Sequence, residues 1–171
     1  MGIPQGSVLG PTLFTLFTND LSPFVRLGSL YMFADDTTVF CIGDTADEAI
    51  VKLNRALQEV YDWCGGNQLT PHPGKSEAML FCKGNPMGPI PPVFLGGIKW
   101  VTKARVLGLT VDHKLTWDAH LMDVKNFKSF ANKLDLLKRS RFLPKSVLRD
   151  FYFKVILSSV KYGLVLWGGV L

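Results

Sequence analysis

Residues 31–40 read YMFADDTTVF and place two adjacent carboxylates between two short apolar runs. Aromatic and β-branched residues dominate both runs, so we predict a β-hairpin with Asp35 and Asp36 at or beside its turn. Two neighbouring anions repel each other unless a cation compensates them, and carboxylate oxygens suit Mg²⁺ or Mn²⁺. The pair is therefore a candidate metal site. The alternative is an ordinary Asp-rich turn, because Asp favours turns by bonding to its own backbone.

The preceding segment, residues 2–11, reads GIPQGSVLGP and contains three glycines and two prolines. This composition indicates a constrained loop whose backbone can approach a flat or charged ligand closely. Pro11 suits the first turn of a following helix. The apolar face of that helix is supplied by Leu13, Phe14, Leu16 and Phe17. We therefore predict a loop and a short core-facing helix ahead of the hairpin.

In this order, the two segments resemble the reverse transcriptase family, specifically its non-LTR retrotransposon type. There the pattern G-[IV]-P-Q-G-S-x-L-G-P-x-L-F precedes [YF]-A-D-D at a similar distance, and both motifs are present here nearly letter for letter. The resemblance implies an RNA-directed DNA polymerase that adds deoxynucleotides to a primer, with Mg²⁺ or Mn²⁺ as cofactor. The partners it implies are an RNA template, a DNA primer and deoxynucleoside triphosphates.

The resemblance also implies which residues carry the chemistry. In polymerases of this type, two Mg²⁺ ions roughly 3.5 to 4 Å apart clamp the attacking 3′-hydroxyl and the leaving pyrophosphate. Asp35 would bind metal, and Asp36 would bind metal or orient its neighbour. Nucleotide or template contacts would fall to Gln5, Gly6, Phe33 and Ala34. Many relatives have tyrosine at the position of Phe33. Phenylalanine keeps the aromatic ring but lacks the hydroxyl.

Lys75 lies within residues 73–77, PGKSE, between a predicted helix and a predicted strand. The family has [PS]-x-K-[ST]-E at this place, and its lysine lies near the incoming triphosphate. The resemblance therefore makes Lys75 a candidate proton donor to the leaving pyrophosphate. The alternative is a solvated surface lysine.

Hydrophobic periodicity predicts an α+β fold. Thr45 and Glu48 have capping-box spacing at the start of a helix that Gly65 and Gly66 close. The apolar face of this helix, which we expect to pack on the sheet bearing Asp35, is made by Ile50, Leu53, Leu57 and Val60. The pattern then predicts a buried strand over 76–82, a hairpin turning at Gly96-Gly97, a strand over 105–112, and helices from Trp117 and from Pro144.

The resemblance divides this order into a right-hand polymerase palm over residues 1–112 and a helical thumb-like region over residues 113–171. Residues 105–112, RVLGLTVD, resemble the family's [YVF]-L-G-[VLI]-x-[LIV]-D hairpin, which grips the primer between palm and thumb. Gly108 would let another backbone approach this strand closely.

The chain departs from the family pattern in one respect, which is a third metal-binding carboxylate. Family members carry it on a palm strand upstream of the 2–6 loop, after a fingers region, and this sequence starts at that loop. The fingers and the first palm strand are thus expected to be missing. The nearest substitutes, Asp20, Asp44 and Asp112, do not have the right order. We therefore expect a partial reverse transcriptase that is inactive alone.

The chain has 19 Lys and Arg against 14 Asp and Glu, and its formal charge of +5 is compatible with a polyanionic partner. Residues 138–141, KRSR, form a basic connection between the last two predicted helices. The cations around it are Lys125, Lys128, Lys133, Lys145 and Arg149. They would neutralise phosphates, or they form a solvated face. The alternative function is therefore a non-catalytic nucleic-acid-binding or domesticated interaction protein derived from a retroelement.

Cysteine spacing and hydropathy bear on the compartment. Cys41, Cys64 and Cys82 fit no zinc-knuckle or C-x-x-C spacing, so we expect reduced core cysteines. No secretory signal is visible, and Lys161 interrupts the most apolar run, so no membrane segment is expected. These features favour an intracellular protein, nuclear or cytoplasmic. The three histidines share no metal-ligand spacing.

Overall fold

The computed structural model describes residues 6–82, 84, 90–93, 97–125 and 128–170. Contacts divide the chain into two compact units, one ending at Val101 and one starting at Thr102. Helices and three two-stranded sheets make up the described part of the chain. This mixture of helices and small sheets agrees with the α+β class predicted from the sequence.

The first unit begins with helices α1 (Gly10–Phe17) and α2 (Leu21–Phe24), followed by strands β1 (Ser29–Phe33) and β2 (Asp36–Phe40). Helix α3 (Ala46–Gly66), a 3₁₀ turn (Pro73–Lys75) and strands β3 (Glu77–Ala78) and β4 (Lys99–Trp100) come next. β1 and β2 pair antiparallel, whereas β3 and β4 pair parallel. The first unit therefore holds both the Asp35 hairpin and Lys75.

Helix α3 begins at the predicted cap. The Thr45 hydroxyl accepts a hydrogen bond from the Glu48 backbone N–H at 3.2 Å, and the Glu48 carboxylate accepts one from the Asp44 N–H at 2.9 Å. The first bond satisfies a backbone donor that the first turn of a helix leaves free, and the second ties the residue before the N-cap to that turn. The helix continues through Gly65 and Gly66, so the glycines form its last turn and Asn67 is the C-cap.

Two clusters of side chains pack along α3. Near its C-terminal end, Ala56, Val60 and Trp63 form a buried cluster with Leu21 and Val25 of the α2 region. The hairpin residues that pack against this cluster are Leu30, Met32, Val39 and Cys41. The predicted packing of α3 on the Asp35 hairpin is therefore confirmed for Val60.

Leu53 and Leu57 belong to the second cluster, with Ala78, Val93 and Ile98, so their predicted position against the Asp35 sheet is wrong. Helix α3 has 21 residues and is therefore about 30 Å long. A five-residue strand spans only about 17 Å, so the hairpin cannot cover the whole helix. The remainder of α3 packs against the segment that contains β3 and β4.

The strand predicted over residues 76–82 is much shorter in the structure. Only Glu77 and Ala78 pair, because β4 offers just two partners, and the side chain of Phe81 is 43% exposed. The 93–101 hairpin survives as one antiparallel bridge between Val93 and Ile98, while residues 94–96 lie outside the described residues. The length of this strand is limited by pairing with its partner strand, which the local content of apolar residues does not reveal.

All three cysteines are free thiols, as predicted. Cys64 is buried and Cys41 is half-buried against the first cluster, but Cys82 is exposed, so the expected core position is wrong for Cys82. Burial raises the pKa of the Cys64 thiol, which keeps it in its neutral form.

The second unit begins with the hairpin β5 (Lys103–Val106) and β6 (Leu109–Asp112). It continues with helices α4 (Asp118–Lys125), α5 (Lys128–Arg139) and α6 (Lys145–Phe151), a π-helical segment (Tyr152–Leu157), α7 (Ser158–Lys161), α8 (Leu164–Trp167) and a 3₁₀ turn (Gly168–Val170). The helical period predicted for the last third of the chain is thus confirmed. No helix among the described residues is both long enough and apolar enough to cross a membrane.

The segment predicted as one strand over 105–112 is itself a hairpin. Its turn residues Leu107 and Gly108 both have positive φ, 47° and 85°, as a type I′ turn requires. Gly108 is therefore suited to the turn conformation, and the predicted close backbone approach is not its reason. The ring of Tyr162 lies 3.5 Å from where a Cβ of residue 108 would be, and its hydroxyl donates to the Leu107 carbonyl at 2.6 Å.

Candidate functional site

The Asp35 hairpin has the predicted form. Its strands pair antiparallel, and the last pair, Phe33 with Asp36, closes a loop of two residues, Ala34 and Asp35. Ala34 has a φ of 54°, in the left-handed region that non-glycine residues seldom adopt. That conformation costs an alanine about 1 kcal/mol. The pairing of the strands on either side holds the residue in it. The hairpin therefore presents both carboxylates at a tight turn.

The two faces of the hairpin differ. Leu30, Met32 and Val39 face the core cluster on α3, as the period of two along a strand requires. Phe33 and Asp36 are cross-strand partners and lie on the opposite face, where the side chain of Phe33 is 68% exposed. The buried face thus anchors the ribbon, and the face with Phe33 and Asp36 is open to a ligand.

Electrostatics at the turn favour a cation. Asp35 and Asp36 are exposed, and among the described residues neither carboxylate has a hydrogen bond or an ion pair. Mg²⁺ usually keeps several waters and binds proteins through one or two carboxylates together with substrate phosphates. The pair fits that donor set. In the part of the chain that the structure describes, no group of three or more Asp, Glu, His or Cys residues is placed to hold a metal.

The other predicted site residues are not gathered at the turn. Gln5 lies outside the described residues, and Gly6 is exposed with a φ of 86°, a conformation that glycine adopts without strain. Lys75 is exposed at the end of its 3₁₀ turn, and no hydrogen bond or ion pair joins it to Asp35 or Asp36. The structure therefore brings together Phe33, Ala34 and the two aspartates.

Two of the acidic residues considered as a third carboxylate have structural partners. Asp20 accepts a hydrogen bond from the Trp63 indole N–H at 3.2 Å. Asp112, only 7% exposed, accepts from the backbone N–H groups of Lys114, Thr116 and Trp117 and from the Thr116 hydroxyl. Burial by itself raises the pKa of Asp112, but these four hydrogen bonds outweigh it and hold the pKa below its usual value. Asp112 organises the connection from β6 to α4.

We expect Asp112→Asn to lower the free energy of unfolding by about 2–3 kcal/mol at pH 7, because its amide N–H₂ would face backbone donors. Since folding lowers the pKa of Asp112, its carboxylate stabilises the fold fully above the unfolded pKa of about 3.9 and loses that effect as pH falls through the folded pKa. The difference in the free energy of unfolding between wild type and Asp112→Asn should therefore shrink as the pH falls below about 4. Urea unfolding at a series of pH values measures this difference.

The matched control is Asp118→Asn, because Asp118 is an exposed carboxylate in the first turn of α4. This substitution should lower the free energy of unfolding by less than about 1 kcal/mol. Equal losses at the two positions, or a loss at Asp112 that does not change with pH, would contradict the assignment.

A second contact set in this unit escaped prediction from the sequence. His120 is 6% exposed, and its Nδ1 accepts the Thr110 backbone N–H at 3.3 Å. Its ring lies edge-on to Trp117 and Trp167, at centroid distances of 6.4 and 5.7 Å. Asp123, one helical turn further along α4, accepts from the Thr110 hydroxyl. The only sequence signal was the three-residue spacing of His120 and Asp123, and these contacts attach α4 to β6.

The Asp35 hairpin lies in a region that matches a known family, because the model of reverse transcriptase (RNA-dependent DNA polymerase) matches residues 1–111. The chain is 28% identical over 98% of its length to the probable RNA-directed DNA polymerase from transposon BS of Drosophila melanogaster. It is 29% identical, also over 98%, to the RNA-directed DNA polymerase from mobile element jockey of the same species. It is 27% identical over 99% to the retrovirus-related Pol polyprotein from type-1 retrotransposable element R1 2 of Nasonia vitripennis.

These matches cover 20%, 19% and 44% of the three relatives, so the chain spans about a fifth of the length of the first two. No solved structure matches the chain. The family model covers well over half of the chain, and it includes both the glycine-rich loop and the Asp35 hairpin. The chain therefore belongs to the reverse transcriptase family, of the non-LTR retrotransposon type.

Proposed function

We propose that this chain forms part of the active site of an RNA-directed DNA polymerase. In this proposal, Asp35 and Asp36 are the metal ligands, and the substrates are a primer, an RNA template and deoxynucleoside triphosphates. The observation that carries it is the tight hairpin turn that exposes both carboxylates, within the region that matches reverse transcriptases. When bound there, Mg²⁺ would activate the primer 3′-hydroxyl and neutralise charge on the triphosphate.

The proposal also assigns roles to residues other than Asp35 and Asp36. Phe33 shares the open face with Asp36, so its ring can support the primer end beside the carboxylate. Gln5, Gly6 and Ala34 would contact the template base or the new base pair. Lys75 is an exposed cation with no ion pair among the described residues, and we propose that it donates a proton to the leaving pyrophosphate.

The two parts of the chain would act as palm and thumb. We propose a palm over residues 1–112, which the family match over 1–111 supports, and a thumb-like region over residues 113–171. The hairpin β5–β6 falls within the proposed palm by sequence, while its contacts group it with the helices that follow. The basic segment between α5 and α6 would then neutralise phosphates of the primer-template duplex.

Primer extension tests the proposal directly. Two carboxylates are too few to hold two divalent cations against their hydration, so the 171-residue chain alone should extend no primer on an RNA template. Fusing an upstream segment that carries a further strand-borne aspartate, taken from the jockey relative, should produce Mg²⁺-dependent extension. Extension by the unfused chain that Asp35→Ala abolishes would show instead that the carboxylates of this chain suffice to hold the metal ions.

A second function, binding without catalysis, is favoured by one observation. Residues 136–149 carry five Lys and Arg side chains and no Asp or Glu. Binding of the chain to a primer-template duplex should therefore weaken steeply with salt, by about 0.9 log units per log unit of salt for each phosphate neutralised. If the fusion binds in this way but extends nothing, and Asp35→Ala leaves binding unchanged, the non-catalytic function is the correct one.

A further inference from the structure

An apolar cleft lies between the C-terminal end of α5 and helix α6, within the second unit. Its volume is about 190 Å³, and apart from Ser140 its lining is apolar. Its apolar lining includes Leu136, Leu137, Leu143, Val147 and Phe151. Pockets for small-molecule ligands usually measure about 300–1,000 Å³, so this cleft suits one or two large side chains better than a cofactor.

The cleft is open to solvent. Leu136 is 53% exposed, Val147 is 47% exposed and Leu143 is 37% exposed. Single exposed apolar residues are common on protein surfaces, but a contiguous concave group of them is typical of an interaction site. The adjacent Phe142 is 81% exposed, which extends the apolar surface beyond the cleft.

Charge around the cleft has one sign. The segment from Leu136 to Arg149 contains Lys138, Arg139, Arg141, Lys145 and Arg149 and no carboxylate. The carboxylates on either side of it are already paired, Asp135 with Arg139 at 2.8 Å and Asp150 with Lys154 at 2.8 Å. Arg139 is thus engaged by Asp135, and Lys138, Arg141, Lys145 and Arg149 leave the segments that line the cleft with a positive net charge, so an occupant with flanking anions would be attracted to them.

We propose that this cleft binds an amphipathic helix of a partner protein that carries large apolar side chains flanked by Asp and Glu. Helix-in-groove binding uses apolar anchors spaced at three and four residues, and the leucine and valine side chains of the cleft match such anchors. Nucleic acid would use the rim cations but would gain little from Leu136, Leu137 and Val147, because bases bind by stacking on aromatic faces. The leucine and valine contacts are separate from the polymerase proposal, but the cations are shared with the phosphate contacts proposed above, so peptide and duplex would compete for them.

Fluorescence anisotropy with the full 171-residue chain tests the proposal. The probe is a labelled helical peptide of about 18 residues, with leucines on one face and glutamates beside them. Leu136→Ser and Val147→Ser should each weaken its binding about tenfold, because central apolar contacts carry most of the affinity of such interfaces. Arg141→Glu should weaken it as well, and high salt should reduce the effect of that charge change.

The matched control is Val165→Ser, since Val165 is an apolar side chain in the same unit that is 99% exposed and lies outside the cleft lining. It should change peptide affinity less than about twofold. Leu136 and Val147 are half-exposed and Arg141 and Val165 are exposed, so circular dichroism should show all variants folded.

Three outcomes would overturn the proposal. One is the absence of peptide binding, or equal effects of cleft and control variants. Another is a loss of primer-template binding in Leu136→Ser that equals the loss of peptide binding, which would make nucleic acid the occupant. The third is sedimentation that shows a dimer of the chain which Leu136→Ser dissociates, because the occupant would then be a second copy.

Discussion

Replacing Trp63 with alanine is expected to lower the free energy of unfolding by about 3–5 kcal/mol, enough to unfold many small domains. Trp63 is 4% exposed in the core cluster of α3, and its indole N–H donates to Asp20. The Phe17 ring lies edge-on to it, with centroids 5.9 Å apart. Its loss would leave a cavity and would also remove the hydrogen bond to Asp20, an exposed residue that water can solvate instead.

The measurement is urea unfolding followed by circular dichroism, since the substitution removes a fluorophore. Val51→Ala is the control, because Val51 lies on the same helix with its side chain 50% exposed, and we expect a change within about 0.5 kcal/mol. A loss below about 1 kcal/mol for Trp63→Ala would mean that the cluster does not hold α1, α2 and the hairpin against α3.

The second large effect is expected in the active fusion described above. Asp35→Asn should reduce the rate of primer extension at least about 1,000-fold, because the substitution removes an anionic metal ligand and with it several kcal/mol of transition-state stabilisation. Binding of primer-template should change little, or strengthen slightly, since a negative charge near the phosphates is lost. The kcat and the duplex Kd should be measured separately.

Asp62→Asn is the matched control, because Asp62 is an exposed aspartate on α3 that is away from the hairpin turn in sequence and bonds only to Gln58 among the described residues. It should leave kcat unchanged. If the Asp35→Asn fusion extends primers at a rate close to wild type, the assignment of Asp35 as a metal ligand fails, whatever its effect on duplex binding.

Much of the candidate site was predictable from residues close in sequence. The antiparallel hairpin, its Asp35-Asp36 turn and the Thr45–Glu48 cap each depend on side chains and backbone groups within about ten residues. Such elements are encoded by local hydrogen bonding and by the alternation of apolar residues, which a single sequence shows directly. The two motifs also sufficed to indicate the family that the matches later showed.

Pairing between distant segments was not predictable in the same way. The strand expected over 76–82 stops after Ala78 because its partner β4 is only two residues long, and apolar content does not report the length of a partner. Leu53 was expected on the Asp35 sheet and instead packs with Val93 and Ile98, because α3 is longer than the hairpin. A stripe of apolar residues shows that a face is buried but not which element buries it.

The sequence by itself determined the Asp35 hairpin with its two carboxylates at a turn, the start of α3, the helical last third of the chain and the family. Only the tertiary structure decided that Trp63 bonds to Asp20, 43 residues away, and that His120 packs against Trp167. It alone decided that the Asp112 carboxylate accepts four hydrogen bonds. It also decided that Leu136 and Val147 are exposed in a cleft whose segments are basic. The physical reason is that local conformation depends on a few neighbouring residues, whereas these contacts depend on how whole elements pack, for which one sequence contains no periodic signal.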